Sequence, residues 1–129
     1  MIAIDTNLVV RLLTNDDPKQ AQYVVELIEK NAIFIAKSVF LETEWVLRYT
    51  YQLNTETILN SFNKLLGLSQ VTAEDAQTIT QTLQWYEAGF DFADALHLAS
   101  STRAEKFATL DKQFIKVAKK LHIDLLTLD

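Results

Sequence analysis

The chain has 129 residues, with 12 Lys and Arg against 17 Asp and Glu, a net charge of -5 and no Cys. This length predicts one domain, residues 1–129, with a core of its own, and the absence of Cys excludes disulfides, thiolate zinc sites and cysteine nucleophiles. The acidic balance argues against a protein that coats nucleic acid non-specifically, because such binding neutralises many phosphates with Lys and Arg.

The first elements alternate between strand and helix. Residues 2–4 form a short apolar run that Asp5 closes, and residues 6–13 have helical spacing of apolar side chains. Residues 16–18 are a typical helix start, with an acidic N-cap before proline, and we expect this helix to end near Lys30.

A second strand is predicted over residues 33–36. Ser38 is then expected to cap a helix that carries Leu41, Trp45 and Tyr49 along one face. This places a buried strand directly before another helix.

Two further helices follow in the middle of the chain. Asn54 or Thr55 is expected to cap the first, which ends at Gly67. Thr72 is expected to open the second, which ends at Gly89. Residues 70–71 between them are a candidate for a very short strand.

The last third of the chain repeats the alternation. Asp91 is a candidate N-cap, residues 107–110 predict a strand closed by Asp111, and a helix and a last strand over residues 124–128 follow. Short strands separated by helices predict an α/β fold with a short central parallel sheet flanked by helices.

No stretch of the chain has the basic start and apolar run of a signal peptide or the length of a membrane span. We therefore expect a cytoplasmic protein with no membrane partner.

Four acids, Asp5, Glu42, Asp94 and Asp111, lie where a predicted strand ends or a helix begins. In a parallel sheet these positions face one crevice, so we expect the side chains to converge. Carboxylates that are crowded together repel each other unless a cation lies among them, and Mg²⁺ prefers oxygen ligands. The pattern therefore predicts a divalent-metal site.

Other side chains have two interpretations. Asp91 either caps a helix or lines the metal site, and we favour the cap. Taken by itself, Asp94 also has a structural explanation, because the helix dipole stabilises a carboxylate in the first turn of a helix. His97 is interpreted as a packing residue. Six aromatic side chains could stack on the bases of a single-stranded substrate, but we favour core or dimer packing for them. They are Tyr23, Trp45, Tyr49, Tyr51, Trp85 and Tyr86.

Half of the basic residues flank Asp111. They form either a solvated helix face or a surface that attracts phosphates. They are Arg103, Lys106, Lys112, Lys116, Lys119 and Lys120.

Four segments together resemble the PIN-domain nucleases, in particular the VapC-type toxins of bacterial toxin–antitoxin pairs. They are Asp5-Thr6-Asn7, the run 40–48 with Glu42 three residues before Trp45, the run 91–97 with Asp94, and Thr109-Leu110-Asp111. The resemblance covers essentially the whole chain, and the opening 5–18 is very similar to one VapC subgroup.

The resemblance implies a PIN-like three-layer sandwich and an Mg²⁺- or Mn²⁺-dependent endoribonuclease, a homodimer held inactive by a small antitoxin protein. The acidic tetrad would be Asp5, Glu42, Asp94 and Asp111. Thr6, Asn7 and Thr109 match polar positions that support the acids, and Arg11 and Arg48 are candidate contacts to RNA or a partner.

Three competing interpretations are less consistent with the sequence. A phospho-receiver domain needs an aspartate after a middle strand, where this chain has Lys37-Ser38, and an aspartyl phosphatase needs a second aspartate where this chain has Asn7. The third is a catalytically silent PIN-like module that only binds RNA or protein. The presence of all four acids disfavours it without proving turnover.

Overall fold

The computed structural model describes residues 1–126 and 128. The chain divides into two compact units, Met1–Ala76 and Gln77–Asp129. Seven α-helices and five strands occur in the described residues, and all the strand pairs are parallel. The predicted α/β class is therefore confirmed. The strands form two sheets, one in each unit, where the sequence suggested a single sheet.

The first unit contains β1 (Ile2–Ala3), α1 (Thr6–Thr14), α2 (Pro18–Lys30), β2 (Ile33–Ile35), α3 (Lys37–Tyr49), α4 (Thr55–Leu66) and β3 (Val71–Ala73). Its sheet has the order β1-β2-β3, with Ile33 paired to both Ile2 and Val71. Because parallel strands end at one edge of a sheet, α1 and α3 both begin at the edge where β1 and β2 end.

The second unit contains most of α5 (Ala76–Glu87), which begins at the boundary, and then α6 (Phe92–Ala99), β4 (Phe107–Ala108), α7 (Lys112–Lys120) and β5 (Leu125–Leu126). Its core is built around Phe90 and Phe114, whose rings meet edge to face at 5.2 Å. Phe107 of β4 stacks on Phe114 at 5.1 Å. These contacts fix the start of α7 against β4.

Local capping signals determine several helix starts, as predicted. The side chain of Asp17 accepts a hydrogen bond from Gln20 N at 3.1 Å, and that of Asn54 accepts one from Thr57 N at 2.9 Å. An oxygen at the N-cap satisfies a backbone N–H that the helix itself leaves without a partner. The helix starts at Pro18 and Thr55 are therefore confirmed.

Two predicted helix starts are wrong. Ser38 lies inside α3, whose N-cap residue is Ala36, and the N–H of Lys37 donates instead to Glu74 Oε1 at 2.9 Å. Thr72 lies in β3, where it pairs with Phe34, and the next helix begins at Ala76. At Lys37 a side chain that is distant in sequence replaces the expected local cap, whereas at Thr72 strand pairing moves the helix start to Ala76.

The predicted last strand over residues 124–128 is shorter in the structure, where β5 covers Leu125–Leu126. Thr127, which the prediction also included, lies outside the described residues.

The buried face of α3 differs from the prediction. Trp45 and Tyr49 are exposed, and the face turned inward carries Phe40, Thr43, Glu44 and Leu47. Phe40 meets Phe62 of α4 edge to face at 5.5 Å. Burial of the Glu44 carboxylate is possible because Arg48, one turn later, binds it.

The longest helices in the described part of the chain, α2 and α3, have 13 residues each. None of the helices there combines the length and the apolar composition that crossing a bilayer requires.

Candidate metal and catalytic site

Asp5 lies at the carboxyl end of β1 and serves as the N-cap of α1. Its Oδ1 accepts a hydrogen bond from the N–H of Leu8 at 3.1 Å. Its Oδ2 makes no hydrogen bond to the described residues, and the side chain is exposed. One oxygen therefore fixes the carboxylate on the helix, which leaves the other as a candidate ligand for a cation.

Glu42 is held next to this position by Thr6. The buried hydroxyl of Thr6 donates a short hydrogen bond to Oε1 of Glu42. Thr6 follows Asp5 directly in the chain, so the bond brings the Glu42 carboxylate from α3 to the start of α1. The first unit thus places two of the predicted acids, Asp5 and Glu42, at one edge of its sheet.

In the second unit, two aspartates cap consecutive helices. Asp91 caps α6 and accepts a hydrogen bond from Asp94 N at 3.4 Å, which confirms its predicted capping position. Asp111 caps α7, with its Oδ1 2.9 Å from Gln113 N and 3.0 Å from Phe114 N. The N–H of Asp111 in turn donates to the hydroxyl oxygen of Thr109 at 3.0 Å, so Thr109 fixes the backbone at this acid.

Asp94 lies among these carboxylates. Burial raises the pKa of Asp94 above its ordinary value, and the negative charges of Asp91 and Asp111 raise it further, while His97 lowers it. Nearby like charges have this effect because they disfavour the ionised form. Asp91 and Asp111 therefore lie near enough to Asp94 for their charges to act on it.

The placement of His97 differs from the prediction. Its side chain is exposed, and its influence on the Asp94 pKa shows that it lies near that carboxylate. The sequence indicated this proximity, because Asp94 and His97 are three residues apart and therefore lie on the same side of the helix.

No group of three or more His, Asp or Glu side chains in residues 1–126 and 128 is close enough together to hold a metal ion. The donor chemistry nevertheless fits a hard cation, since the candidate ligands are carboxylate oxygens and the chain has no thiolate. The repulsion of Asp94 by Asp91 and Asp111 also fits, because a bound cation would compensate it.

The two arginines that the sequence singled out both bind side chains of the protein. Arg11 donates from Nε to Gln20 Oε1 at 2.7 Å and pairs with Asp16 at 3.3 Å. Arg48 donates from Nε to Oε2 of the buried Glu44 at 2.8 Å. Each guanidinium is thus fixed in place by an acid on the protein.

Asn7 is exposed in the first turn of α1, and the six basic residues around Asp111 are also exposed. One of them, Lys106, pairs with Asp124 at 3.2 Å. The basic residues of the second unit therefore carry their charge at the surface on both sides of Asp111.

A cavity of about 330 Å³ lies beside α7 in the second unit. Its walls are mostly apolar, and Leu110, the residue before Asp111, is 79% exposed there. The lining is Thr109, Leu110, Lys112, Ile115, Leu125, Leu126 and Leu128. Lys112 is the charged member of this lining, and the rest offers mainly apolar contacts.

Comparison with known proteins gives one family. No curated protein is similar enough to the chain to count as a match. The family described as PIN domain matches residues 2–120, which include all four predicted acids and parts of both units. The chain therefore belongs to the PIN domain family.

Proposed function

We propose that the chain is a divalent-metal-dependent endoribonuclease in which Asp5, Glu42, Asp94 and Asp111 hold Mg²⁺ or Mn²⁺. PIN domains are in general nucleases that bind RNA. The observation that carries the proposal is the environment of Asp94, where burial and then the charges of Asp91 and Asp111 raise the pKa of Asp94. Without a cation this arrangement opposes folding, so its presence favours a role in binding one.

The proposed ligands and the residue that orients one of them have different roles. Asp5 and Asp111 each use one oxygen to cap a helix and keep the other for the ion, while Thr6 holds Glu42 in place. When bound, Mg²⁺ or Mn²⁺ lowers the pKa of a water and neutralises charge on the phosphate. The protein orients the ligands and the scissile phosphodiester, and water is the nucleophile.

The test is cleavage of a mixture of unstructured RNA oligonucleotides by the purified chain. We expect cleavage with Mg²⁺ or Mn²⁺, none with EDTA, and at least a 100-fold loss in Asp5→Asn. The matched control is Glu29→Gln, an exposed acid on α2, which should cleave as well as the wild type. Cleavage that persists with EDTA or in Asp5→Asn would exclude the mechanism.

A second substrate identifies the nucleophile. An oligonucleotide that lacks the 2′-hydroxyl at the cleaved nucleotide should still be cut if water attacks the phosphorus. Loss of cleavage there, together with a cyclic phosphate on the ordinary RNA product, would identify the 2′-hydroxyl as the nucleophile instead.

We further propose that the chain acts as the toxin of a toxin–antitoxin pair, as a homodimer inhibited by a small antitoxin protein. The order of the four acidic motifs and the opening 5–18 support this. Induced expression should stop bacterial growth, and expression of Asp5→Asn should not. Light scattering should give the mass of two chains, and a single chain would contradict the dimer.

The alternative function is a silent module that only binds RNA or protein. RNA binding without cleavage in any divalent metal would support that alternative. An increase in thermal stability on addition of Mn²⁺, lost in Asp94→Asn, would support the nuclease.

A further inference from the structure

Exposed apolar side chains cluster around the cavity beside α7. Ten large hydrophobic side chains are exposed among the described residues, and four of them line this cavity, so they form a contiguous group. Leu110 is 79% exposed, and the others are Ile115, Leu126 and Leu128. Single exposed apolar residues are ordinary, whereas a contiguous group of them indicates a binding surface. We call the cavity with these four side chains the apolar pocket.

Lysines continue one wall of the apolar pocket along α7. Lys112 and Ile115 both line the pocket. Positions separated by three, four and seven residues lie on one side of a helix, so Lys116 and Lys119 share this side with them. All three lysines are exposed, and α7 contains no acidic residue. We call Lys112, Lys116 and Lys119 the lysine row.

The positive charge of the lysine row is available to a ligand. Within the part of the chain that the structure describes, none of the three lysines makes an ion pair with an acid of the protein. Two acids lie close to the row in the sequence. Asp111 accepts hydrogen bonds from the backbone at the start of α7, and Asp124 pairs with Lys106 at 3.2 Å.

We propose that the apolar pocket and the lysine row bind a short acidic segment of another protein. Apolar side chains of the segment would fill the pocket, and its carboxylates would lie along the row. The cavity volume of about 330 Å³ is at the lower end of the range of about 300–1,000 Å³ for ligand pockets, which suits a few side chains. This inference goes beyond the proposed nuclease function and does not depend on it.

The geometry favours a protein segment over other anionic ligands. The lysine row covers about 10.5 Å along the helix axis, which is more than one carboxylate can contact. A chain that carries several acids can contact the whole row. RNA would offer phosphates to the lysines, but its bases stack mainly on aromatic rings, and the described lining of the pocket contains none.

Charge disfavours a second copy of the chain as the ligand. In a two-fold contact through this face, the same patch of each subunit would meet itself. Each lysine row would then lie against the other, and like charges across an interface weaken association. An acidic segment has the complementary charge, and its apolar side chains cover Leu110 and Ile115, which otherwise stay exposed to water.

Binding is measured by the fluorescence anisotropy of a labelled peptide in which three leucines are separated by glutamates. Saturable binding with Kd below about 1 mM is expected at low ionic strength, and it should weaken as added salt screens the charges. Two matched peptides, with the leucines changed to serine or the glutamates to glutamine, should each bind at least about fivefold more weakly. No saturable binding of the first peptide up to about 1 mM would overturn the proposal.

Two variants of the chain test the pocket and the row separately. Leu110→Ser should weaken peptide binding by about 5- to 30-fold, as expected for a residue that contributes to an interface. Lys116→Glu should weaken it by at least about threefold at low ionic strength. The matched controls are Tyr23→Ser and Lys19→Glu, exposed residues of α2, which should bind as the wild type does. Circular dichroism establishes that each variant is folded.

Three outcomes would overturn the proposal. The first is wild-type affinity of Leu110→Ser or Lys116→Glu for the peptide. The second is a change of Leu110→Ser from dimer to monomer with peptide binding unaltered, which would assign the apolar pocket to a contact between copies. The third is a loss of RNA affinity in Lys116→Glu with peptide binding unaltered, which would assign the lysine row to RNA. None of these measurements requires RNA cleavage, so a failure of the nuclease proposal is distinguishable from a failure of this one.

Discussion

The hydroxyl of Thr6 donates a hydrogen bond to the carboxylate of Glu42, which lies 36 residues later in the chain. This contact joins the first turn of α1 to α3 and places Glu42 beside Asp5 at the edge where two parallel strands end. It is the side-chain contact that organises the first half of the proposed site.

Replacement of Thr6 by Val should therefore impair the site more than the fold. Loss of a partner that orients a metal ligand typically reduces metal affinity or activity by about 10- to 100-fold. The free energy of unfolding should fall by only about 1 kcal/mol, the usual effect of one hydrogen bond. RNA cleavage and urea unfolding measure the two effects. Thr6→Ser, which keeps the hydroxyl, should cleave at close to the wild-type rate, and equal activity of Thr6→Val would refute the orienting role.

Replacement of Tyr51 by Phe should change how stability depends on pH. The Tyr51 hydroxyl donates to Asp16 at 2.5 Å, and this bond, with help from Thr14 and Arg11, holds the pKa of Asp16 below its usual value. A lowered folded pKa stabilises the protein above the unfolded pKa of about 3.9, and the stabilisation is lost as the pH falls through the folded value.

The wild type should therefore exceed Tyr51→Phe in unfolding free energy at pH 7, and the difference should shrink below about pH 4. Urea unfolding at several pH values measures it. Tyr23→Phe, which alters an exposed tyrosine of α2, serves as the control. A difference that stays constant from pH 7 to pH 3 would show that Asp16 is not the group involved.

Asp94→Asn should stabilise the metal-free protein at pH 7. The substitution removes a carboxylate that is partly desolvated and repelled by Asp91 and Asp111. The gain should be no more than about 1 kcal/mol, because interactions between partly exposed charges are weak. Thermal unfolding with and without Mn²⁺ checks this, since a metal ligand should stabilise the wild type in a concentration-dependent way that the variant lacks. A variant that is less stable than the metal-free wild type would contradict the repulsion.

Gly89→Ala should destabilise the second unit through the backbone. Gly89 has φ +120°, a conformation that residues with a Cβ rarely adopt, while a Cβ there would meet only Val117 Cγ1 at 4.0 Å. The cost should be about 1–3 kcal/mol, and it comes from strain rather than from a clash. Urea unfolding measures it, with Glu87→Ala as a neighbouring exposed control. Wild-type stability of Gly89→Ala would show that this turn can relax.

The sequence predicts the parts of the fold that depend on local chemistry. Asp17, Asn54 and Asp91 cap helices close to where their side chains indicated, because an N-cap acts within three residues of itself. The prediction that Ser38 caps α3 is wrong because Glu74, from a distant segment, accepts the hydrogen bond of the Lys37 N–H at the start of this helix. The prediction that Thr72 opens a helix is wrong because Thr72 lies in β3 and pairs with β2.

The proposed site likewise depends in part on contacts between distant elements, which the sequence does not predict. The positions of Asp5 and Asp111 at strand ends follow from the alternation of elements, but the Thr6–Glu42 bond depends on how α1 meets α3. The buried face of α3 could not be predicted from apolar spacing, because that face includes Glu44, which Arg48 neutralises. A pattern of hydrophobic residues assigns a charged side chain to the surface and so selects the wrong face.

The capping role of the aspartates affects how the proposed activity can be judged across relatives of this chain. Asp5, Asp91 and Asp111 each cap a helix, so a lineage that had abandoned hydrolysis would still be under selection to keep an aspartate or asparagine at these places. Glu42 caps nothing, since it lies inside α3. Substitution at position 42 is therefore the more telling sign of a homologue that has lost its chemistry.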